Sequence, residues 1–226
     1  SDRYRNTGNL HQALLQLIKS LDDSIKDPPM RSKNKVIDST IISDKDFDNL
    51  IHQLKQGPLS EKLKAKSLFL QKVHQKHKNR LIELLADAEG ILKEVLIESL
   101  GILKFTESCD ILIELLNDSY YNKFAAKAIG DIGCSNGEAS LLRLLNSDTE
   151  SAYIAIKPLG MLNSKKSIKG IRKFMNHPLH WIRAQVVESL GMIRDDSVLT
   201  VLEKMSNGDP DSDVRAKAKH ILRRRI

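Results

Sequence analysis

Seven histidines, two cysteines and a repeated Glu-Ser-Leu-Gly are the residues of this chain best placed to do chemistry. His74/His77 and His177/His180 are each three residues apart, a spacing that can put two imidazoles on one side of a helix, as a zinc site needs. Neither pair has a cysteine or carboxylate near it in sequence to complete a ligand set, and His177 precedes Pro178, which reads as a turn. Both pairs read as solvated surface histidines. Cys109 and Cys134 show neither zinc nor redox spacing and read as two free thiols of a reducing compartment, which makes the chain cytoplasmic. Ser99 and Ser189 sit in Glu-Ser-Leu-Gly, not in the Gly-x-Ser-x-Gly turn that exposes a nucleophile, and no glycine-rich phosphate cradle occurs. The expectation is therefore no catalytic residue, no metal and no cofactor.

Why Glu-Ser-Leu-Gly occurs twice is explained by the elements around it. The glycines Gly101, Gly130, Gly160 and Gly191 recur at intervals close to thirty. A second series interleaves with them: Leu-Ile-His-Gln-Leu ending at Leu54, Leu-Ile-Glu-Leu-Leu ending at Leu85 and at Leu116, then segments ending at Leu145, Met175 and Met205. Two series at one period describe a two-helix unit repeated about six times. Asn, Asp, Gly, Ser and Pro cluster between the helices of each unit, where the chain must reverse. In the second helix of the fifth repeat, Ile182, Val186, Leu190 and Ile193 share one face and are expected to bury against the first helix. A glycine beside Leu190 lets a neighbouring helix approach closely, at a helix-propensity cost of about 1 kcal/mol. The same spacing predicts a kink at Pro158, which lies inside the second helix of the fourth repeat and removes an amide there.

Composition bounds the rest. The chain has 226 residues, 41% hydrophobic but only 4% aromatic, with a formal net charge of +7. No apolar run is long enough to span a membrane and no signal-peptide pattern is visible. Because the first residue is Ser1 rather than Met, the sequence leaves open a processed leader or anchor ahead of it. Residues 1–43 read as an amphipathic helix, Leu10 to Ile25, followed by a Pro-rich, charged linker. Residues 44–226 read as the repeat domain, with units near 44–75, 76–105, 106–134, 135–163, 164–195 and 196–226.

The last repeat, with Asp209, Pro210, Asp213, Val214, Arg215 and Ala218, resembles the HEAT-repeat class of α-solenoids in its short bacterial form. The fifth keeps a looser version in Ile182, Arg183, Leu190 and Gly191. Asn122 and Ala152 stand at the Arg183 position of the third and fourth repeats, so no continuous basic ladder is expected. The resemblance implies an all-α, right-handed α-solenoid of about six HEAT-like two-helix repeats with an extra N-terminal helix. Some HEAT-like proteins are iron enzymes using His-Glu dipeptides, and this chain has none. Others are DNA glycosylases that grip duplexes on a basic face. Here residues 58–80 carry 7 basic and 1 acidic side chains and residues 164–195 carry 7 and 2, but residues 81–120 carry 2 and 9. That acidic interval interrupts the continuous basic surface phosphate binding requires.

The resemblance also implies that second helices line a concave groove. Opposite the buried line of the fifth repeat stand Trp181, Gln185, Glu188 and Met192; the fourth repeat places Ile154, Lys157 and Met161 there, and the third Tyr120, Phe124 and Lys127. The stripe is either an apolar groove or a wide buried arc. On the first alternative the protein is a non-catalytic protein–protein interaction scaffold, holding a helix or extended segment of another protein, with these ten residues as the partner-binding site. The alternatives are a glycosylase-like nucleic-acid binder, possible but not favoured, and tetrapyrrole handling as in the bilin lyases. The sequence does not specify an oligomeric state.

Overall fold

A computed structural model of the chain describes residues 42–147 and 152–225; the amphipathic segment expected at Leu10 to Ile25 and its linker lie outside the described residues. The described residues form helices and connecting turns, grouped in two compact units, Ser1–Glu114 and Leu115–Ile226.

In the first unit, α1 (Asp44–Gln56) starts where the Ser43 hydroxyl accepts the Asp46 amide and stops at Gly57-Pro58. Phe47, Leu50, Ile51 and Leu54 are its buried residues, the one-face spacing of an amphipathic helix. It packs on α2 (Leu59–Lys72), and α4 (Gly90–Ile102) packs against α1, α2 and α3 (Lys78–Ala86). The core is aromatic: Phe47 lies 5.1 Å from Phe69 and stacks on the buried His77 ring at 4.7 Å. α5 (Cys109–Leu115) begins the next repeat.

In the second unit, first and second helices alternate: α6 (Asn122–Ile132), α7 (Glu138–Leu145), α8 (Ile156–Met161), α9 (Ile168–Arg172), α10 (His180–Met192), α11 (Leu199–Gly208) and α12 (Ser212–Arg223). The second helices stack in series, α6 on α8, α8 on α10 and α10 on α12. The recurring glycines sit at these contacts. A Cβ on Gly130 would lie 3.0 Å from the Pro158 Cα, and one on Gly160 would lie 2.7 Å from the Ser189 Cα. At Gly191 the neighbour is instead the Ile221 side chain, 2.8 Å away. Close helix approach, as anticipated, is what these glycines provide.

The helix around Pro158 is not continuous. Residues Ala152–Ala155 form a 3₁₀ turn and the α-helix begins only at Ile156. Pro158 therefore falls in the first helical turn, where a missing amide leaves no intrahelical bond unmade.

A 3₁₀ turn also opens the first helix of successive repeats, at Gln75–His77, Thr106–Ser108, Ser135–Gly137, Lys165–Ser167 and Asp196–Val198. Ahead of three of these turns the chain takes a left-handed residue, Lys104 (φ 49°), Gly133 (φ 88°) and Asn163 (φ 54°).

Neither cysteine is a free thiol, a correction to the sequence reading: Cys109 and Cys134 are buried at repeat turns and disulfide-bonded. Spacing along the chain does not reveal that placement, and the argument from thiols for a reducing, cytoplasmic compartment falls with it. No helix among the described residues is long and apolar enough to cross a membrane.

Candidate partner-binding face

The stripe opposite the buried line of the second helices is accessible in the second unit. Trp181, near the start of α10, is 40% exposed, and Met192, at its end, 41%. Tyr120 is 53% exposed, but it belongs to the turn before α6 and not to the helix; the Asp118 carboxylate accepts its backbone amide. Phe124, Ile154, Met161, Gln185 and Glu188 are half-buried, and Lys127 and Lys157 are exposed. Beneath them Ala125, Ile129, Ala155, Leu159, Val186 and Leu190 are closed to solvent. A wide buried arc is thus not what the second helices form here: the apolar side chains of the stripe divide between core and surface.

One direct contact joins two rungs of this ladder. The Tyr153 ring meets Trp181 edge-to-face, centroids 5.1 Å apart at 83°, a favoured aromatic geometry. Tyr153 was not among the residues expected from the sequence. Counting offsets back from Gly160 assumes a continuous α-helix, and the 3₁₀ turn at Ala152–Ala155 rotates Tyr153 to a different bearing.

The polar members of the stripe are held by neighbours. Lys127 pairs with Asp131 one turn along at 2.9 Å, and Lys217 of α12 donates to Glu188. The Gln185 Oε1 is enclosed without a hydrogen-bond partner among the described residues. In the first unit, the equivalent residues of α4 are different in kind: Val95 is fully buried, Ile102 exposed, and Glu98 paired.

The basic blocks are largely neutralised within their own units. Lys66 of α2 reaches both Glu94 (3.2 Å) and Glu98 (2.9 Å) of α4. Desolvation would lower its pKa, but the hydrogen bonds and charges of Glu98 and Glu94 outweigh it and hold it above the usual lysine value. Lys76 pairs with Asp44 and Arg80 with Asp48. In the second unit Lys165 pairs with Asp195 and Lys166 with Glu138.

The arginines that carry the repeat motif point inward. Arg183 is 7% exposed and its Nε and Nη2 donate to Asp209, itself 2% exposed, at 2.9 and 3.0 Å. Its Nη1 donates to the His177 and Pro178 carbonyls. Arg215 repeats the gesture, its Nη1 donating to the Asp209 and Pro210 carbonyls. Each arginine thus closes the turn that precedes its own helix. A pocket of about 400 Å³ lies along these turns, lined by Met175, His177, Arg183, Lys204, Met205 and Asp209 among others. Its two buried charges satisfy each other.

Three of the four paired histidines serve as acceptors. His77 Nδ1 accepts the His74 amide, His74 Nδ1 accepts the Lys76 amide, and His177 Nδ1 accepts the Leu179 amide. Capping of turns, rather than solvation, is what these three do. Desolvation, reinforced by the neighbouring Lys76, holds His77 below the usual histidine pKa.

Residues 138–223 match the family model for HEAT repeats. No curated protein matches the chain. Sixteen solved chains do; one belongs to the complex of CpcE and CpcF of phycocyanin lyase from Nostoc sp. PCC7120, at 18% identity and a TM-score of 0.57, covering 88% of this chain and 80% of that one. The fold is a HEAT-like α-solenoid.

Proposed function

We propose that this protein is a non-catalytic scaffold that binds a segment of another protein on the second-helix face of Leu115–Ile226. The observation that carries the reading is the exposure of Trp181 and Met192 above a closed core. Large apolar side chains left in water in a contiguous ladder are the mark of an interaction surface, and a few aromatic anchors usually dominate binding energy. In this reading Trp181, Met192, Met161, Ile154, Phe124 and Tyr120 form the apolar floor. Lys127, Lys157, Gln185 and Glu188 orient the partner. The likeness in fold to a solved complex of two proteins supports a partner-binding role.

Two other readings are less well supported. A nucleic-acid binder needs unpaired cations on a continuous face, whereas Lys66, Lys76, Arg80, Arg183 and Lys166 are held by carboxylates of the same chain. Tetrapyrrole handling draws support from the phycocyanin lyase likeness alone; a visible absorption change on mixing the protein with a linear tetrapyrrole would revive it.

Trp181→Ala tests the scaffold reading. A partner captured with the wild-type chain and identified should lose about 2 kcal/mol of affinity on this change, with the melting temperature nearly unmoved. A Trp truncated within a core would instead cost about 3–5 kcal/mol of stability, and a large drop in melting temperature would sink the reading at its central residue.

A further inference from the structure

We infer that the segment bound on this face is an acidic amphipathic helix; the inference rests on the scaffold reading and adds the chemistry of the partner. Charge is the first ground. The apolar ladder is bordered by Lys123 and Lys127 on α6, Lys157 on α8 and Lys217 on α12, against only Asp131 and Glu188, and each of those two acids already holds a lysine. An incoming segment therefore meets a surplus of positive charge around an apolar strip, which selects carboxylates on the partner's polar face. An incoming lysine-rich helix would have to displace a lysine from an existing pair to find an acid.

Spacing is the second ground. The rungs of the ladder stand on α6, α8 and α10, which pack in series; packed helices lie about 8–10 Å apart. Residues i and i+7 of a crossing helix are about 10.5 Å apart on one face, close to that interval. Same-face residues of an extended strand recur every ~6.7 Å and fall out of step with the rungs. The helix-in-groove mode, with apolar anchors at helical spacing, is the recognition mode that fits.

Single-stranded nucleic acid also seeks aromatic residues with cations, but the ladder is poorly made for it. Ile154, Met161 and Met192 offer no stacking plane, and Trp181 already meets Tyr153 edge-to-face. Asp131 and Glu188 lie inside the strip, where phosphates would pass.

Trp181 is the only tryptophan in the chain, so its fluorescence reads occupancy of the face directly. The probes are three Trp-free synthetic peptides with identical leucine anchors at helical spacing and polar positions filled by Glu, Gln or Lys, added to the full chain, with an oligo-dT strand as a fourth ligand. The Glu peptide should bind roughly tenfold more tightly than the Gln peptide, since two or three rim charges each contribute up to about 1 kcal/mol. That advantage should shrink between about 50 mM and about 300 mM salt, as the Debye length falls. A Lys127→Glu/Lys157→Glu variant that melts like wild type should invert the preference toward the Lys peptide. Equal binding of all three peptides, or preference for Lys in the wild type, overturns the acidic partner and leaves the scaffold reading standing. Binding by none of the three overturns both. Tighter binding of oligo-dT than of the Glu peptide overturns both in favour of nucleic acid.

Discussion

The Ser189 Cα lies 2.7 Å from the point a Gly160 Cβ would occupy. The serine of one Glu-Ser-Leu-Gly and the glycine of the preceding repeat are thus two halves of one contact, main chain against main chain. Ser189 is fully buried and its hydroxyl has no partner among the described residues, whereas Ser99, its counterpart in the first unit, donates to the Val95 carbonyl. A small residue is required at each position, and its hydroxyl is incidental.

Gly160→Ala should accordingly destabilise the protein by about 1–3 kcal/mol, overpacking outweighing the gain in helix propensity. Gly191→Ala should cost much less, since the atoms in its way are the far end of the Ile221 side chain. Ser189→Ala should be neutral or slightly stabilising, because it removes a buried hydroxyl that bonds to nothing. Urea denaturation of the three variants checks the order; equal losses at Gly160 and Gly191 would contradict the backbone contact.

Asp209→Ala should cost about 3–5 kcal/mol, because it strands the buried Arg183 guanidinium without its carboxylate. Replacing both partners by apolar residues of similar volume, Arg183→Met with Asp209→Leu, should recover much of that loss. Thermal melts of the single and double variants form the cycle.

Lys104 holds a left-handed conformation where the following repeat has Gly133. Lys104→Gly should raise stability by up to about 1 kcal/mol, the relief of strain exceeding the extra chain entropy of glycine. A fall in melting temperature would show the Lys104 side chain contributes more than its backbone costs.

Acid should destabilise the first unit before its carboxylates titrate. Desolvation depresses the His77 pKa in the folded chain, so the unfolded chain takes up a proton first. The stabilising contribution is complete above the ordinary histidine value of about 6.5 and is lost as pH falls from there through the depressed value. The ring stacks on Phe47, so His77→Phe keeps an aromatic in place while removing the proton. Denaturation measured from pH 7 to pH 5 should decline in wild type and run flatter in His77→Phe.

The architecture was legible in the sequence because a repeat writes its packing rules several times. Gly130, Gly160 and Gly191 at one period could hardly be other than a shared helix contact, and the apolar quartet of Ile182, Val186, Leu190 and Ile193 is buried throughout. What the period cannot convey is phase within a broken helix. Tyr153 was missed because offsets counted from Gly160 cross a 3₁₀ turn. Tyr120 was placed on a helix although Asp118 fixes it in a turn. The inward aim of Arg183 was invisible for a different reason: its partner Asp209 lies a full repeat away, and pairing across repeats depends on stacking that no single period describes. The disulfide state of Cys109 and Cys134 was hidden in the same way.

The contacts at Gly130 and Gly160 also have a mechanical consequence. Joints made of side chains can yield by changing rotamer, one bond rotation at a time. Joints made by apposed main chain, at Gly130 on Pro158 and Gly160 on Ser189, have no such slack. Under tension the row α6, α8, α10 should therefore resist until a whole helix detaches, while the looser joint at Gly191 and Ile221 gives first. In a single-molecule pulling trace that is a small early rip from the carboxyl-terminal helix, followed by a single larger one.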